Sequence, residues 1–230
     1  MAENKRFRIG AKRRGIIGIE AAIVLIAFVI VAAALSFVVL NMGFSTTQKA
    51  KTTIGSGLQT SSSVVSVSGT VVGHLNSTAA ALDVITYPLK VASGSESVDL
   101  EKSAVAIKYL SHTISYDNIY NGTLSDKSYG SLSAALAQAK TNGLIDQNPL
   151  ATSGAKNPSK TVAIIYWSTN TNNNNVLDKS ETAVLAIVFQ NSDMPKALDE
   201  VTTEVTPSIG APLTVTRDIP TLTDSFQDLT

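Results

Sequence analysis

Residues 13–40 read RRGIIGIEAAIVLIAFVIVAAALSFVVL, and the interpretation of the whole chain depends on this stretch. The 25 residues from Ile16 to Leu40 contain a single charge, Glu20. At about 1.5 Å per residue, a helix of this length is roughly 37 Å long, which exceeds the roughly 30 Å hydrocarbon core of a bilayer. Its surface is apolar on nearly all sides, unlike that of a helix in a soluble core. The stretch therefore predicts a helix that lies among lipids or other apolar helices.

Three interpretations of this segment are open. Basic residues before it and small residues at 32–34 fit a secretory signal that is removed, although the apolar run continues past them. The length also fits a permanent anchor with its basic end in the cytoplasm. The order RRG, IIGIE and a long apolar run resembles a type IV pilin-like (class III) signal. A peptidase would then cut between Gly15 and Ile16, the helix would stay in the product, and Glu20 would be its fifth residue.

Beyond this signal, the chain resembles the archaellins, the subunits of the archaeal swimming filament. The resemblance rests on LNMGFSTTQKAKTTIGSGL, VVSVSGTVVG, SESVDLEKSAVAIKYLS and WSTNTNNNNVLDKSE, in that order. It implies a non-enzymatic structural subunit of the archaeal flagellum that polymerises with identical copies through its N-terminal helix. The implied partners are a prepilin-type signal peptidase, the archaellum motor and the export machinery. The implied location is an extracellular filament at the cell surface, with a precursor inserted in the cell membrane.

Two alternative functions stay open at this point. An adhesive archaeal type IV pilin would share the signal and the helix, and many archaellins lack an acid at the position of Glu20. A membrane-anchored Ig-like binding module would keep the helix as an uncleaved span. A swimming defect on deletion separates an archaellin from a pilin, and a mature N-terminus at Ile16 separates both from the anchored module.

The organisation of the chain follows from a change of periodicity. Residues 1–15 form the predicted class III signal, residues 16–62 a long helix and residues 63–230 the outer domain. In the outer domain, runs rich in β-branched residues are separated by clusters of Gly, Ser, Asn or Asp. These runs predict strands near 64–72, 81–92, 104–116, 161–169, 183–190 and 213–219. A short surface helix is expected at 131–143, with Ser131 as its N-cap. The prediction is an α+β fold, a long N-terminal hydrophobic helix followed by an antiparallel Ig-like β-sandwich.

Composition excludes several functions. The chain without residues 1–15 has 12 basic and 17 acidic residues, a net charge of −5, which argues against nucleic acid binding. It has no Cys and only two His, His74 and His112, which stand outside any catalytic or paired-ligand pattern and are expected on the surface. Trp167 is expected in the core or at an interface. No catalytic residue and no required cofactor are predicted.

The helix carries the predicted assembly residues. Gly18, Ala22, Ala32 and Ser36 form two pairs of small residues four apart, which would let neighbouring helices approach closely. Glu20 would need a partner if it were buried in a bundle. The resemblance to pilins implies that this partner is the new amino group of Ile16 on a neighbouring subunit. A lipid-facing acid that reaches the membrane surface is the alternative.

Two further kinds of site are predicted in the outer domain. Asn76 and Asn121 begin the sequons NST and NGT, which predicts N-linked glycans in loops of an exported protein. The loop NTNNNNVLDKSE has the oxygen-ligand spacing of an EF-hand. Its candidate ligands for weak Ca²⁺ binding, at about 10⁻⁴ to 10⁻³ M, are Asn170, Asn172, Asn174, the Val176 carbonyl, Asp178 and Glu181. In this interpretation Asn175 replaces the left-handed Gly of the EF-hand. Because the flanks are strands, a polar hairpin turn is the alternative.

Overall fold

The structure is a computed structural model that describes residues 13–62 and 64–229. It contains two compact units, which meet in the chain between Ser56 and Gly57 and are described separately below. The predicted leader up to Lys12 lies outside the described residues, as do Ser63 and Thr230.

A single helix, α1, runs from Arg13 to Ser62. It contains no Pro, and its glycines do not interrupt it. The polar second half satisfies part of its own hydrogen-bonding capacity, because the hydroxyl of Thr47 donates to the Gly43 carbonyl at 2.8 Å and that of Thr52 to the Gln48 carbonyl at 3.0 Å. The helix ends at Ser62.

The head, which is the second unit, consists of short and medium-length strands with one further helix, α2. The strands are β1 (Val65–Val67), β2 (Val72–Asn76), β3 (Ala81–Val91), β4 (Val98–Asp99), β5 (Val105–Ser111), β6 (Ser115–Tyr116), β7 (Tyr120–Ser128), β8 (Val162–Thr169), β9 (Val176–Leu177), β10 (Thr182–Val188), β11 (Glu200–Pro207), β12 (Leu213–Asp218) and β13 (Phe226–Asp228), and α2 is Leu132–Thr141.

The larger sheet has the strand order β13-β2-β3-β10-β8-β7, and β1 also pairs with β3. The sequence predicts one strand at 64–72, but the structure divides it into β1 and the beginning of β2. Gly69 lies at the break with φ of 122°, a conformation that L side chains rarely adopt. The chain therefore turns there and pairs twice with the same long strand.

The smaller sheet has the order β12-β11-β5-β6, and β4 pairs with β9 separately. The two sheets share one core, to which the larger sheet contributes Trp167 and Tyr87 and the smaller sheet contributes Tyr109 and Val201. Trp167 is completely buried, in agreement with its expected place in the core. The predicted α+β fold, a long apolar helix followed by a predominantly antiparallel sandwich, is confirmed.

The structure departs from a two-layer antiparallel sandwich in one region. Strands β7 and β8 pair in parallel, and α2 lies between them in the chain. The outer face of the larger sheet packs against α2 in a second apolar cluster that includes Leu136, Ala139, Ile164 and Tyr166. Because β8 is covered on both faces, its run VAIIYW is continuously apolar and does not alternate. The predicted surface helix is therefore a third layer, and Ser131 caps it as expected.

Candidate assembly helix and head sites

Most of the exposed large apolar side chains among the described residues lie on α1. From Gly18 to Leu58 every described side chain of the helix is exposed, and its large apolar side chains are 51–73% exposed. In the described part of the head, the exposed large apolar side chains are Leu110, Leu198, Ile209 and Phe226. By length and composition Gly18–Leu58 could cross a membrane, with a mean hydropathy of 3.2 in its most apolar window. The apolar side chains of α1 therefore need an apolar environment that comes from outside the chain.

The predicted assembly residues occupy two sides of this helix. At 3.6 residues per turn, the unbroken helix places Gly18, Ala22, Ala32 and Ser36 within about 80° of one another around its axis. Glu20 lies about 160° from Gly18 and shares a shallow apolar groove with Val24 and Phe28. The small residues and the acid therefore need different neighbours, which a helix surrounded by other helices would provide.

The predicted cleavage site lies in the first turn of α1. Gly15 and Ile16 are the third and fourth residues of the helix, whose first residue is Arg13. The helix thus continues across the bond that the peptidase is predicted to cut. A peptidase could cut this bond only if the turn unfolds locally, and local unfolding of a terminal turn that contains Gly costs little free energy.

The first sequon fits a glycosylation acceptor. Asn76 ends β2, and its Oδ1 atom accepts the N–H groups of Thr78 and Ala79 at 3.1 and 3.2 Å in a turn. Its Nδ2 group has only a long contact of 3.4 Å, to the Oδ1 atom of Asn157. Ser77 and Thr78 are exposed. The amide and the hydroxyl of this sequon are therefore accessible on the folded head.

The second sequon lies in β7, although the sequence places it in a loop. The Nδ2 group of Asn121 donates to the Leu144 carbonyl at 2.6 Å, and its Oδ1 atom accepts from the Lys102 ammonium at 2.9 Å. The Thr123 hydroxyl is buried without a hydrogen-bond partner among the described residues. A glycan at Asn121 would have to displace contacts that the folded head already makes.

The Asn-rich loop connects β8 to β9 and β10, and its side chains mostly bond to its own backbone. The Oδ1 atoms of Asn170, Asn172 and Asn174 accept backbone N–H groups at 2.8–3.2 Å. The left-handed residue is Asn173, with φ of 56°, and the expectation that Asn175 has this conformation is wrong. The reason is that Asn170 closes the turn at Asn173, two residues earlier than in an EF-hand.

Two carboxylates meet at this loop. Glu181 is completely buried, and its two oxygens accept the N–H groups of Thr171 at 2.7 Å and Asp178 at 3.3 Å. Asp178 accepts from the Asn172 amide at 2.8 Å and from the Ser97 hydroxyl. Within residues 13–62 and 64–229 no three carboxylate or imidazole groups are grouped closely enough to hold a metal ion. One oxygen that the sequence did not suggest, Asn175 Oδ1, is buried and has no partner among the same residues.

Sequence patterns also missed two polar clusters of the head. His74 is half-buried and not on the surface, and its Nδ1 atom lies 2.6 Å from the Oδ1 atom of the buried Asp83. Asp193 is buried and accepts hydrogen bonds from Thr161, Tyr116, Gln190 and Ser192 at 2.6–2.8 Å. Burial raises the pKa of Asp193, but these four hydrogen bonds outweigh it, and the pKa lies below its usual value. The Asp193 cluster joins segments that are far apart in the chain, whereas His74 and Asp83 lie on the neighbouring strands β2 and β3. Neither cluster matches a known sequence motif.

Comparison with known proteins gives one family over most of the chain. The family model of archaeal-type flagellin matches residues 15–217. The chain is 37% identical to "Probable flagellin 1" of Aeropyrum pernix over 91% of this chain and 93% of the relative. It is 31% identical to "Probable flagellin 2" of Archaeoglobus fulgidus over 97% of this chain and 99% of the relative.

Solved structures agree on the fold. The archaeal flagellum of Methanospirillum hungatei has a TM-score of 0.59 at 22% identity, over 93% of this chain and 99% of that one. Crystalline flagellin FlaB1 of Methanocaldococcus jannaschii has a TM-score of 0.57 at 17% identity, over 73% of this chain and 96% of that one. The exposed apolar helix, the β head and a family match over most of the chain agree with one another. The chain belongs to the archaeal-type flagellin family.

Proposed function

We propose that this chain, a structural subunit of a cell-surface filament by its family, polymerises through α1 to form the filament core. The observation that carries the proposal is the concentration of exposed apolar side chains on one helix, compared with four on the described head. Burying each such side chain contributes about 1.5–3 kcal/mol, so a fully covered helix gains tens of kcal/mol. This gain would make assembly close to irreversible.

The same helix explains the proposed precursor. Before assembly the apolar surface needs a membrane, and Gly18–Leu58 is long and apolar enough to span one. The basic residues before it would keep the N-terminus in the cytoplasm. We place the cut of a prepilin-type peptidase between Gly15 and Ile16, on the cytoplasmic side. The helix then stays in the mature subunit and moves from lipid to the bundle of identical helices.

Glu20 is the residue that would form a polar contact between subunits in the assembled filament. An acid that is buried in a helix bundle without a partner is strongly destabilising. Cleavage at Gly15 creates an amino group on Ile16, which is the closest new cation that the filament core could offer. We propose that Glu20 pairs with this amino group on a neighbouring subunit. The export machinery and a membrane motor would then act on the assembled core, with torque for swimming transmitted along it.

The head would form the outer surface, with two modifications. We propose an N-linked glycan at Asn76, because its amide is accessible in a turn. Asn121 would carry one only if it is modified before the head folds, because its amide is bonded to Leu144 in the folded head. We also propose weak calcium binding by the Asn-rich loop. Its affinity is limited because candidate oxygens of Asn172, Asp178 and Glu181 already accept hydrogen bonds, which compete with a cation for their electron density.

A pair of variants tests the processing step and the filament role together. Gly15→Leu should leave an uncleaved precursor in the membrane and no filaments on electron micrographs, since a bulky residue blocks the cut. Gly10→Leu makes the same change five residues earlier, and it should be processed and assembled normally. Glu20→Gln should be cleaved normally but should assemble poorly, whereas Glu20→Asp keeps the charge and should assemble better. Filaments built from uncleaved Gly15→Leu subunits would contradict the proposal.

A further inference from the structure

Leu198 combines two unfavourable features on the surface of the head. At 84% exposure it is the most exposed large apolar side chain of the described residues. Its φ of 70° is left-handed, a conformation that costs free energy for any side chain with a Cβ atom and favours Gly or Asn. A polar residue or Gly would be more favourable here in an isolated head. A partner from outside the chain that covers the leucine would offset both costs.

The backbone around Leu198 is held firmly. The Leu198 N–H donates to the Ile219 carbonyl at 2.7 Å, and the Ile219 N–H donates to the Asp199 carbonyl at 2.9 Å. On the other side the Pro195 carbonyl accepts from the Leu82 N–H at 2.9 Å. The loop thus presents a leucine from a fixed position, so that little conformational entropy is lost when a partner covers it.

A cleft of matching size lies elsewhere on the head. We call it the Ile209 cleft; it has a volume of about 150 Å³ and its apolar lining comes from Val98, Val176, Pro207 and Ile209. A cavity of about this volume lined by apolar residues accommodates a benzene molecule in another protein. The four-carbon side chain of a leucine is smaller. Ile209 is 47% exposed, so the cleft opens to the outside of the head.

The leucine and the cleft lie at opposite ends of one strand. Leu198 precedes β11 by two residues and Ile209 follows it by two, and the eight residues of β11 span roughly 25 Å. A contact between two different patches is heterologous, and its repetition gives an open filament when the rotation between neighbours does not close into a ring. We propose that in the filament Leu198 of one subunit inserts into the Ile209 cleft of a second copy of this chain. The inference rests on the filament role of the chain.

Each patch has beside it a charged side chain without an ion pair among the described residues, and these two charges are of opposite sign. Lys196 is exposed beside Leu198 and forms no ion pair with any described residue. Asp99 is exposed among the lining residues of the cleft and also lacks a salt bridge within the described part of the chain. Two acids also lie beside Leu198: the Asp199 carboxylate accepts the Lys196 N–H at 2.8 Å, and Glu200 lines a different cleft together with Leu110 and His112. We expect the Lys196 ammonium of one subunit to pair with Asp99 of the next when the leucine is inserted.

Cross-linking in assembled filaments tests the contact, because the chain has no Cys. Full-length subunits with both Leu198→Cys and Ile209→Cys, expressed as the only copy, are assembled, oxidised or treated with a short bismaleimide, and separated under denaturing conditions. The expected result is a ladder of dimers, trimers and longer oligomers. Each single variant should give monomers only. A matched control joins Ile209→Cys with Phe226→Cys, another exposed apolar position of the head, and should give no ladder.

The other outcomes are decisive as well. Normal filaments without a ladder would overturn the proposed contact but not the filament role, whereas absence of filaments from the unmodified chain would overturn the role itself. Dimers from Leu198→Cys alone would mean a symmetric contact and would also overturn the proposal.

Substitutions give a second, independent measurement. Leu198→Asn suits the left-handed backbone, so the full chain in detergent should melt at the same or a higher temperature. Its filaments should disassemble at a lower temperature, with a subunit affinity about ten- to a hundredfold lower. Lys196→Glu and Asp99→Lys should each weaken filaments, and the double variant should recover part of the loss. Filaments of Leu198→Asn as stable as those of the unmodified chain would contradict the insertion.

Discussion

Replacing Glu181 by Gln distinguishes an internal role of this carboxylate from a role as a calcium ligand. The side chain is completely buried, and its two oxygens each accept a backbone N–H group, from Thr171 and from Asp178. Gln has the same shape, but only its Oε1 atom can accept a hydrogen bond. Its NH₂ group would face one of the two N–H donors. The substitution therefore removes one charge-assisted hydrogen bond and leaves one buried donor without an acceptor.

The size of the effect follows from these contacts. A hydrogen bond to a charged group contributes about 1.5–3 kcal/mol to the free energy of unfolding. In a domain of this size, each kcal/mol shifts the melting temperature by about 2–4 °C. Glu181→Gln should therefore lower the melting temperature of the head by roughly 3–12 °C. The loss should be present in EDTA, because the hydrogen bonds do not depend on a metal ion.

The assay is thermal unfolding of the full chain in detergent micelles, followed by the near-ultraviolet signal of the buried Trp167, with and without millimolar calcium. Asp178→Asn is the matched control, since it removes the other carboxylate but keeps its backbone N–H for Glu181. This control should lose most of any calcium-dependent stabilisation, with a smaller loss in EDTA. If Glu181→Gln melts within about 1 °C of the unmodified chain in EDTA, the internal hydrogen-bonding role is refuted.

Three further outcomes are expected. Burial raises the pKa of Tyr87 and of Tyr166 to about 12. The free energy of unfolding should therefore fall by about 2 kcal/mol for each tyrosine as the pH rises from 10 to 12. Denaturant unfolding at several pH values checks this. Glycopeptide mass spectrometry of filaments should find the glycan at Asn76 and not at Asn121; the reverse occupancy would contradict the accessibility argument. Ala22→Leu should reduce filament yield more than Leu25→Ile, because a larger residue separates close helices; equal yields would count against the small-residue face.

The sequence predicts well those elements whose buried residues form a clear apolar pattern along the chain. Strands β8 and β10 are apolar over six consecutive residues, and the first half of α1 is apolar on nearly all sides, so each of these patterns predicts a single type of element. Strand β11 was missed because its sequence EVTTEVTP appears polar. Its Thr203 is nevertheless buried, and its hydroxyl donates to the Tyr87 hydroxyl at 3.0 Å inside the sandwich. A buried Thr that bonds to a distant Tyr has no local signature.

The same limit applies to the sites. The oxygen spacing from Asn170 to Glu181 is compatible with both an ion-binding loop and a hydrogen-bonded turn, because both need acceptors directed toward a common centre. Only the fold shows that backbone N–H groups, and for Asp178 the side chains of Asn172 and Ser97, already donate to these acceptors. The hydrogen bond that occupies the Asn121 amide likewise depends on Leu144, which lies 23 residues away in the chain. By contrast, the cleavage site and the assembly helix depend on contiguous residues, and sequence alone could propose them.

The intact mass of the subunit in purified filaments tests the central claim most directly. If α1 forms the filament core, the subunit must keep this helix, and its mass should correspond to a chain that begins at Ile16, plus any glycan. A chain that begins at Leu35 would have lost the apolar surface that drives assembly. A subunit mass that begins at Leu35 would therefore contradict the claim that α1 forms the core, and one that begins at Met1 would contradict the processing step.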